Sequence, residues 1–300
     1  MSAPAAPRSL AARLALPALI LGGMALGTSP LFVRISETGP SATGFWRMVL
    51  ALPLLWLVMQ RRGSTPVGRA DVKDFVMPGF MFAADLFFWQ WAVHFTTMAN
   101  ATLFSNFAPV IVTAGAFLFL RERVTAGFLA GLGVALCGAA LLLGASAGLG
   151  GRFVEGDLLG LASALFYGGY LLYAAKLRER FDAATFTFWY SLVCALFLLP
   201  AAIVSGETLL PATAQGWLIL LGLAWISHVL GQGLVAQGIG HLPASFSSLV
   251  ILTQPLVAAI LAWVLLGEAL GPWQVAGGIV VLAGIFIARQ ATLRSARRGP

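Results

Sequence analysis

Asp85 lies in the middle of an apolar run, with Trp89 one helical turn further on. A later run stands in a corresponding place: at an offset of 143 residues the counterpart of Asp85 is His228, with Gln232 one turn on. An acid and an imidazole at matched depth could hold the two charged ends of a zwitterion, or relay a proton. The alternative is that each satisfies a polar group on a neighbouring helix. Tyr167, Tyr170 and Tyr173 recur at every third position and form one stripe. The first two offer apolar faces and hydroxyls to a flat or aliphatic side chain. Tyr173, near the end of its run, fits the interfacial aromatic belt. Asn100, Ser105 and Asn106 precede Pro109, while Ser245, Ser247, Ser248, Thr253 and Gln254 precede Pro255. Each proline removes a backbone donor and frees a carbonyl, which these groups can satisfy or leave open to a substrate. The substrate-binding candidates are therefore Asp85, Trp89, Asn106, Tyr167, Tyr170, His228, Gln232 and Gln254. Pro30, Pro109 and Pro255, with the Gly168-Gly169 pair, are the hinge or gating candidates. Arg47 must snorkel outward or meet a carboxylate such as Glu268, so Arg47, Glu122 and Glu268 are read as structural.

The elements that position these residues must be membrane helices. Of 300 residues, 59% are hydrophobic and 10% charged, against about a quarter charged in soluble globular chains. Ten apolar runs are long enough to cross about 30 Å of hydrocarbon. They lie at 14–34, 41–60, 74–95, 97–120, 124–145, 157–176, 183–204, 214–237, 242–266 and 272–289, the third and eighth being the most polar. The expected fold is all-α and integral to the membrane. Connections are short, so no soluble domain of any size is expected.

A net charge of +7 could point to nucleic acid, but its distribution reports orientation instead. Numbering the runs from a cytoplasmic N-terminus puts fifteen Lys and Arg on the inner side, among them Arg61, Arg62, Arg121, Arg123 and Arg178. The outer side has only Arg34 and Arg152. That bias predicts cytoplasmic termini and a bacterial-type inner membrane as the location. The first run follows Arg8 and Arg13 as a signal peptide would, but nine more runs follow it, and a retained helix is expected. Cys137 and Cys194 read as small packing residues, and no metal or cofactor is implied.

Residues 103–138 repeat at an offset of 146, with ten identities that include Pro109/Pro255, Glu122/Glu268, Gly131/Gly277 and Gly138/Gly284. Earlier the offset is 143: Phe45-Trp46 matches Phe188-Trp189, and Gly79 matches Gly222. A three-residue insertion between the eighth and ninth runs accounts for the change. Each unit holds five helices, an odd number, so the second must enter from the opposite side. Residues 1–145 and 157–290 are the two inverted repeats, 146–156 an external linker, and 291–300 a basic cytoplasmic tail. Glu122 and Glu268, at the ends of the fourth and ninth runs, are expected to fix a local turn. Inverted repeats are the architecture of secondary transporters, although some channels share it.

The doubled P…E…G…G pattern, LGTSPLFVRIS at Leu26–Ser36, FWRMVLALPLL at Phe45–Leu55 and GDLLGLASALFYGGYLLYA at Gly156–Ala174 resemble the drug/metabolite transporter superfamily. Within it, the chain is similar to EamA-type ten-helix exporters, and most of all to bacterial exporters of aromatic and other neutral amino acids. That resemblance implies a central cavity lined mainly by helices 1, 3, 4, 6, 8 and 9, alternating access, and amino acids or similar small molecules as substrates. Lipid is the other partner, nucleic acid is not, and one chain is expected to suffice. Exporters of other metabolites or drugs share the scaffold. GASAG at Gly144–Gly148 fits the G-x-S-x-G formula without its strand-turn-helix setting, so catalysis is not expected. No Walker motif is present, so ATP does not drive this chain directly. Gly23/Gly27, Gly127/Gly131 and Gly156/Gly160 read as close packing within the bundle.

Overall fold

Several helix ends in this chain fall at proline or glycine, although Pro17 and Pro200 lie within continuous helices. The computed structural model describes residues 10–62, 64–95, 98–144, 154–266 and 271–297, and every regular element among them is helical. α1 (Leu10–Leu26) ends at Gly27-Thr28, where the Thr28 hydroxyl donates to the Ala25 carbonyl at 2.7 Å; α2 (Ser29–Arg34) restarts around Pro30. The second run, expected to be continuous, is broken into α3 (Pro40–Val49) and α4 (Leu52–Arg62). Pro53 is the cause, because it cannot donate to the turn before it. The Trp225 indole donates to the Leu50 carbonyl at 3.1 Å beside this break.

A 3₁₀ turn, Val72–Phe75, leads into α5 (Val76–Phe95). α6 (Met98–Ser105) and α7 (Ala108–Phe119) are separated at Asn106-Phe107, just before Pro109. α8 (Ala126–Gly144), α9 (Val154–Leu177) and α10 (Ala183–Val204) are uninterrupted. α9 begins inside the expected linker, and Gly168-Gly169 do not break it: Gly168 packs on Ile111 and Gly169 on Met81.

α11 (Ala214–Gly222) runs into a π-helical stretch, Leu223–Gln232, and then α12 (Gly233–Ile239). α13 (Ala244–Val250) and α14 (Gln254–Leu266) flank a 3₁₀ turn at Ile251–Thr253, just ahead of Pro255. α15 (Pro272–Arg297) continues through most of the expected basic tail, where no breaker follows Gly284.

Among the described residues, eight stretches are long and apolar enough to cross a membrane: 12–34, 40–61, 72–93, 154–177, 183–204, 214–239, 244–261 and 272–295. They include the two most polar of the predicted runs. The other two runs fall on shorter apolar stretches, Ala108–Phe119 and Ala126–Leu141. Large apolar side chains cover the outside, with Phe119 78% and Val204 86% exposed, an exterior suited to hydrocarbon as solvent.

Contacts between the two halves come in exchanged pairs. The Gly39 amide donates to the Thr208 carbonyl at 3.0 Å. At the other end of the bundle, the Thr65 amide donates to Asp182 Oδ2 at 2.8 Å, and the Asp182 amide to Thr65 Oγ1 at 3.3 Å. Shifting by 143 turns Gly39 into Asp182 and Thr65 into Thr208. Where α8 crosses α15, a Cβ on Gly138 would lie 2.5 Å from the Val281 nitrogen, and one on Gly284 would collide with Ala135. Those positions exchange under the 146 offset, and glycine is what lets the two backbones approach so closely.

Candidate functional site

Three helix breaks and two intact helices surround one cavity. Its wall includes Pro30, Pro109 and Pro255, each at a break, with Asp85 and Trp89 from α5 and Tyr167 from α9. The breaks matter because a chain leaving helical winding turns polar groups away from its own ladder. Asn106 and Gln254 reach the wall in this way, and Gln232 comes from the last position of the π stretch.

Asp85, only 8% exposed, accepts a 2.6 Å hydrogen bond from the Ser163 hydroxyl. Arg47, 4% exposed, donates from Nη1 to Ser29 Oγ at 3.2 Å, and its guanidinium carbon lies 5.9 Å from the Phe82 ring centre. Both charges face the same cavity and lie within electrostatic reach of one another. Among the described residues no ion pair joins them. Three buried donors on the wall also lack a hydrogen-bond partner there: Arg47 Nε, Asn106 Nδ2 and the Tyr167 hydroxyl. The Tyr167 hydroxyl lies near the amides of Gln232 and Gln254, without a hydrogen bond of normal geometry to either. Such a wall offers an acceptor, several donors, and the aromatic side chains of Trp89, Tyr167 and Phe82.

Of the eight predicted binding residues, six line the cavity: Asp85, Trp89, Asn106, Tyr167, Gln232 and Gln254. Tyr170 and His228 are fully buried outside its wall. The Tyr170 hydroxyl donates to Gln232 Oε1 at 3.4 Å, and His228 Nε2 meets Ser191 Oγ at 2.7 Å. The offset pairing of Asp85 with His228 therefore does not give two cavity residues. Winding at five residues per hydrogen bond advances each residue through less than the α-helical 100°, so His228, six places into the π stretch, is turned differently from Asp85.

Arg47 does not snorkel outward; it is buried and lines the cavity. Its signal was present in the sequence, since it directly follows the repeated Phe45-Trp46 pair. Ser163 was missed, although it lies one turn before Tyr167 on the same helix face. Glu268 lies outside the described residues.

The expectation that Glu122 fixes its own turn needs correction. Its backbone does so, the amide bonding Ala116 O at 3.0 Å after Arg121 takes a φ of 55°. Its carboxylate reaches the other half: Oε1 accepts from the Ala244 amide at 2.6 Å, and Oε2 accepts from the Ser245 hydroxyl at 2.6 Å. It thereby caps the exposed amides at the start of α13. At the same end, Arg178 donates to the carbonyls of Ala236 and Phe181, and Arg180 pairs with Asp71 and Asp74. Burial opposes the Asp182 charge, but hydrogen bonds from Thr185 and Thr65 outweigh it and hold that carboxyl below its ordinary value. At the opposite end, the Thr213 hydroxyl and the Thr213 and Ala212 amides lower the Glu37 carboxyl in the same sense. The cavity takes Ser29 and Pro30 from α2 and Asp85 and Trp89 from the middle and second half of α5, whereas Glu122, Arg178 and Asp182 make their contacts at the first end.

The sequence pattern of the EamA-like transporter family matches this chain twice, over residues 13–144 and 154–290. A probable terminal-alkyne amino-acid exporter of Streptantibioticus cattleyicolor is 29% identical over 238 residues, spanning 77% of this chain and 78% of its own. The pseudopaline exporter CntI of Pseudomonas aeruginosa is 25% identical, over 86% of this chain and 90% of its own. A probable amino-acid metabolite efflux pump of Salmonella typhimurium is 30% identical over 184 residues, 58% of this chain and 60% of its own. One solved crystal structure superposes with a TM-score of 0.79 at 18% identity, over 95% of this chain and 99% of its own, which shows the shared fold. A membrane-spanning helical bundle, built in two matching halves around a polar cavity, thus belongs to the EamA-like transporter family.

Proposed function

We propose that this protein exports small zwitterionic metabolites, neutral and aromatic amino acids foremost, by alternating access through the cavity between its halves. The observation that carries this reading is Arg47 and Asp85 in one cavity, oppositely charged, buried, and not joined to each other. A buried charge is costly unless it is matched. An α-carboxylate on Arg47 and an α-ammonium on Asp85 match both, with the substrate side chain on Trp89 or Tyr167. In this reading the transported molecule undergoes no chemistry.

The finer architecture belongs to the same proposal. Ten spans form two inverted five-helix units with both termini cytoplasmic, the cavity then lying toward the outside. The exchanged contacts of Gly39 with Thr208 and of Thr65 with Asp182 support a twofold relation between the units, as do the two family matches. The lysine and arginine bias supports the orientation and an inner-membrane location. Pro30, Pro109 and Pro255 act as hinges because each already interrupts a helix at the wall. A single chain carries the whole cavity and is the working unit.

The test is uptake into proteoliposomes of labelled phenylalanine, leucine, threonine and a nucleoside, with and without a pH gradient. Saturable, mutually competing uptake of the amino acids, lost in Asp85→Asn, is the expected result. Uptake of the nucleoside alone would assign a different metabolite to the scaffold. Uptake that depends on the gradient would add proton coupling to the mechanism.

A further inference from the structure

Behind the cavity wall lies a second group of polar atoms. Tyr190 and Ser191 on α10 touch His228 in the π stretch, Thr187 lies one turn before Ser191 on the same helix, and all four are fully buried. None of them lines the open cavity. The Ser191 hydroxyl has one proton and gives it to the Thr187 carbonyl at 2.5 Å. The 2.7 Å contact from His228 Nε2 to Ser191 Oγ must then be an N–H donating to that oxygen. Neutral His228 is left with a bare acceptor at Nδ1. That atom has no hydrogen-bond partner, nor do the Tyr190 and Thr187 hydroxyls. Tyr190 and Tyr170 meet edge to face with ring centres 5.0 Å apart, and the Tyr190 hydroxyl lies near that of Tyr170 without a hydrogen bond of normal geometry to it. Three unsatisfied polar atoms in so small a volume are costly, and folded proteins avoid such groups unless something fills their need.

Phe82 stands between this group and the cavity. It lines the cavity beneath Arg47, and its ring neighbours include Tyr170, Tyr190 and His228, at centre distances of 4.8, 5.3 and 5.8 Å. The chemistry on its two sides corresponds position by position. Arg47 matches Tyr190 at the 143 offset, a donor for a donor, and Asp85 matches His228, an acceptor for an acceptor.

Building on the reading of a zwitterionic substrate, we propose that Thr187, Tyr190 and His228 form a second compartment for the substrate's polar head, shut off from the open cavity by Phe82. In it, His228 Nδ1 accepts from the ammonium and the Tyr190 hydroxyl donates to the carboxylate. In the alternate state, when the halves exchange conformations, this compartment opens to the face opposite the cavity. The substrate thus meets a charged pair on one side of its path and an uncharged pair on the other.

Thiol labelling, first without and then with phenylalanine, tests this. Ser191→Cys is introduced in a chain with Cys137→Ser and Cys194→Ala, and an impermeant thiol reagent is applied to one membrane face at a time. Ser105→Cys, on the open cavity, reports that each variant is folded. The expected result is labelling at Ser191→Cys only from the face opposite the cavity, with labelling from both faces once Phe82→Ala is added. Phe82→Leu serves if the alanine variant loses its Ser105→Cys labelling. No labelling from either face in any folded variant overturns the compartment. Labelling from the cavity face with Phe82 intact overturns its role as the partition. If the expected pattern holds but phenylalanine does not slow the labelling, the compartment stands and the amino-acid assignment fails.

Discussion

Arg47 follows Phe45-Trp46 and Tyr190 follows Phe188-Trp189, so one helix position carries a guanidinium in the first half and a phenol in the second. Asp85 and His228 differ in the same direction. The first half presents two full charges to the open cavity, each held by one serine. The second half keeps neutral groups behind Phe82, and a serine holds the imidazole there too. Duplication gave both halves the same scaffold, and what diverged is the charge. A charge must find a partner or water, so it stands at the wall; a neutral hydroxyl or imidazole can be closed off at lower cost.

Removing the charges is the sharpest way to break this contrast. Asp85→Asn and Arg47→Gln should each raise the half-saturation concentration for amino-acid uptake about 10- to 100-fold, the worth of one charge-assisted hydrogen bond. Arg47→Lys keeps the charge but loses the planar fork, and should recover only part of that loss. If Arg47→Gln transports normally, the guanidinium is a packing group after all. The neutral half should respond more weakly. Tyr190→Phe and His228→Gln each remove one hydrogen bond between a neutral group and a charged end of the substrate, a change of about 10-fold, at the low end of that range. The change should differ between uptake measured from the two membrane faces. Equal effects from both faces, as large as those of Asp85→Asn, would erase the distinction between the halves.

Two smaller effects probe the end of the bundle held by Glu122 and Asp182. Glu122→Gln weakens the cap on α13 by about 1 kcal/mol, and Ser245→Ala by less. Both should lower the thermal midpoint in detergent, Glu122→Gln by more, and an unchanged midpoint in both would remove the cap from the account. Asp182 supplies a pH test. Its carboxyl is depressed in the folded chain, so its stabilisation is fully present above about pH 4, the ordinary carboxylate value, and is lost as pH falls through the lower folded value. Asp182→Asn should therefore be less stable than the parent at neutral pH and approach it in acid. A gap that stays constant down to pH 2 would rule out that carboxylate as the cause.

Much of this arrangement was legible in the sequence, for identifiable reasons. Proline lacks a backbone donor wherever it stands, so the interruptions before Pro30, Pro109 and Pro255 could be read directly. Asp85 and Trp89 lie on a regular helix, where one turn of spacing holds. The reading failed where winding or partnership was not local. A π stretch cannot be seen in composition, so the 143 offset carried His228 to a place its side chain does not occupy. Gly168-Gly169 suggested a weak point, yet the space they leave is taken by Ile111 and Met81 from neighbouring helices. Glu122 was assigned to its own turn because its partners lie in the other half of the chain.

That last contact also bears on how the protein is made. Ala244 leaves the ribosome 122 residues after Glu122, and Thr65 precedes its partner Asp182 by 117. The first half must therefore enter the bilayer with these groups uncommitted. Only when synthesis of the second half is nearly complete can the first be locked. Neither half holds its own clasps, so two genes each encoding one half would have to be expressed together to yield a finished carrier.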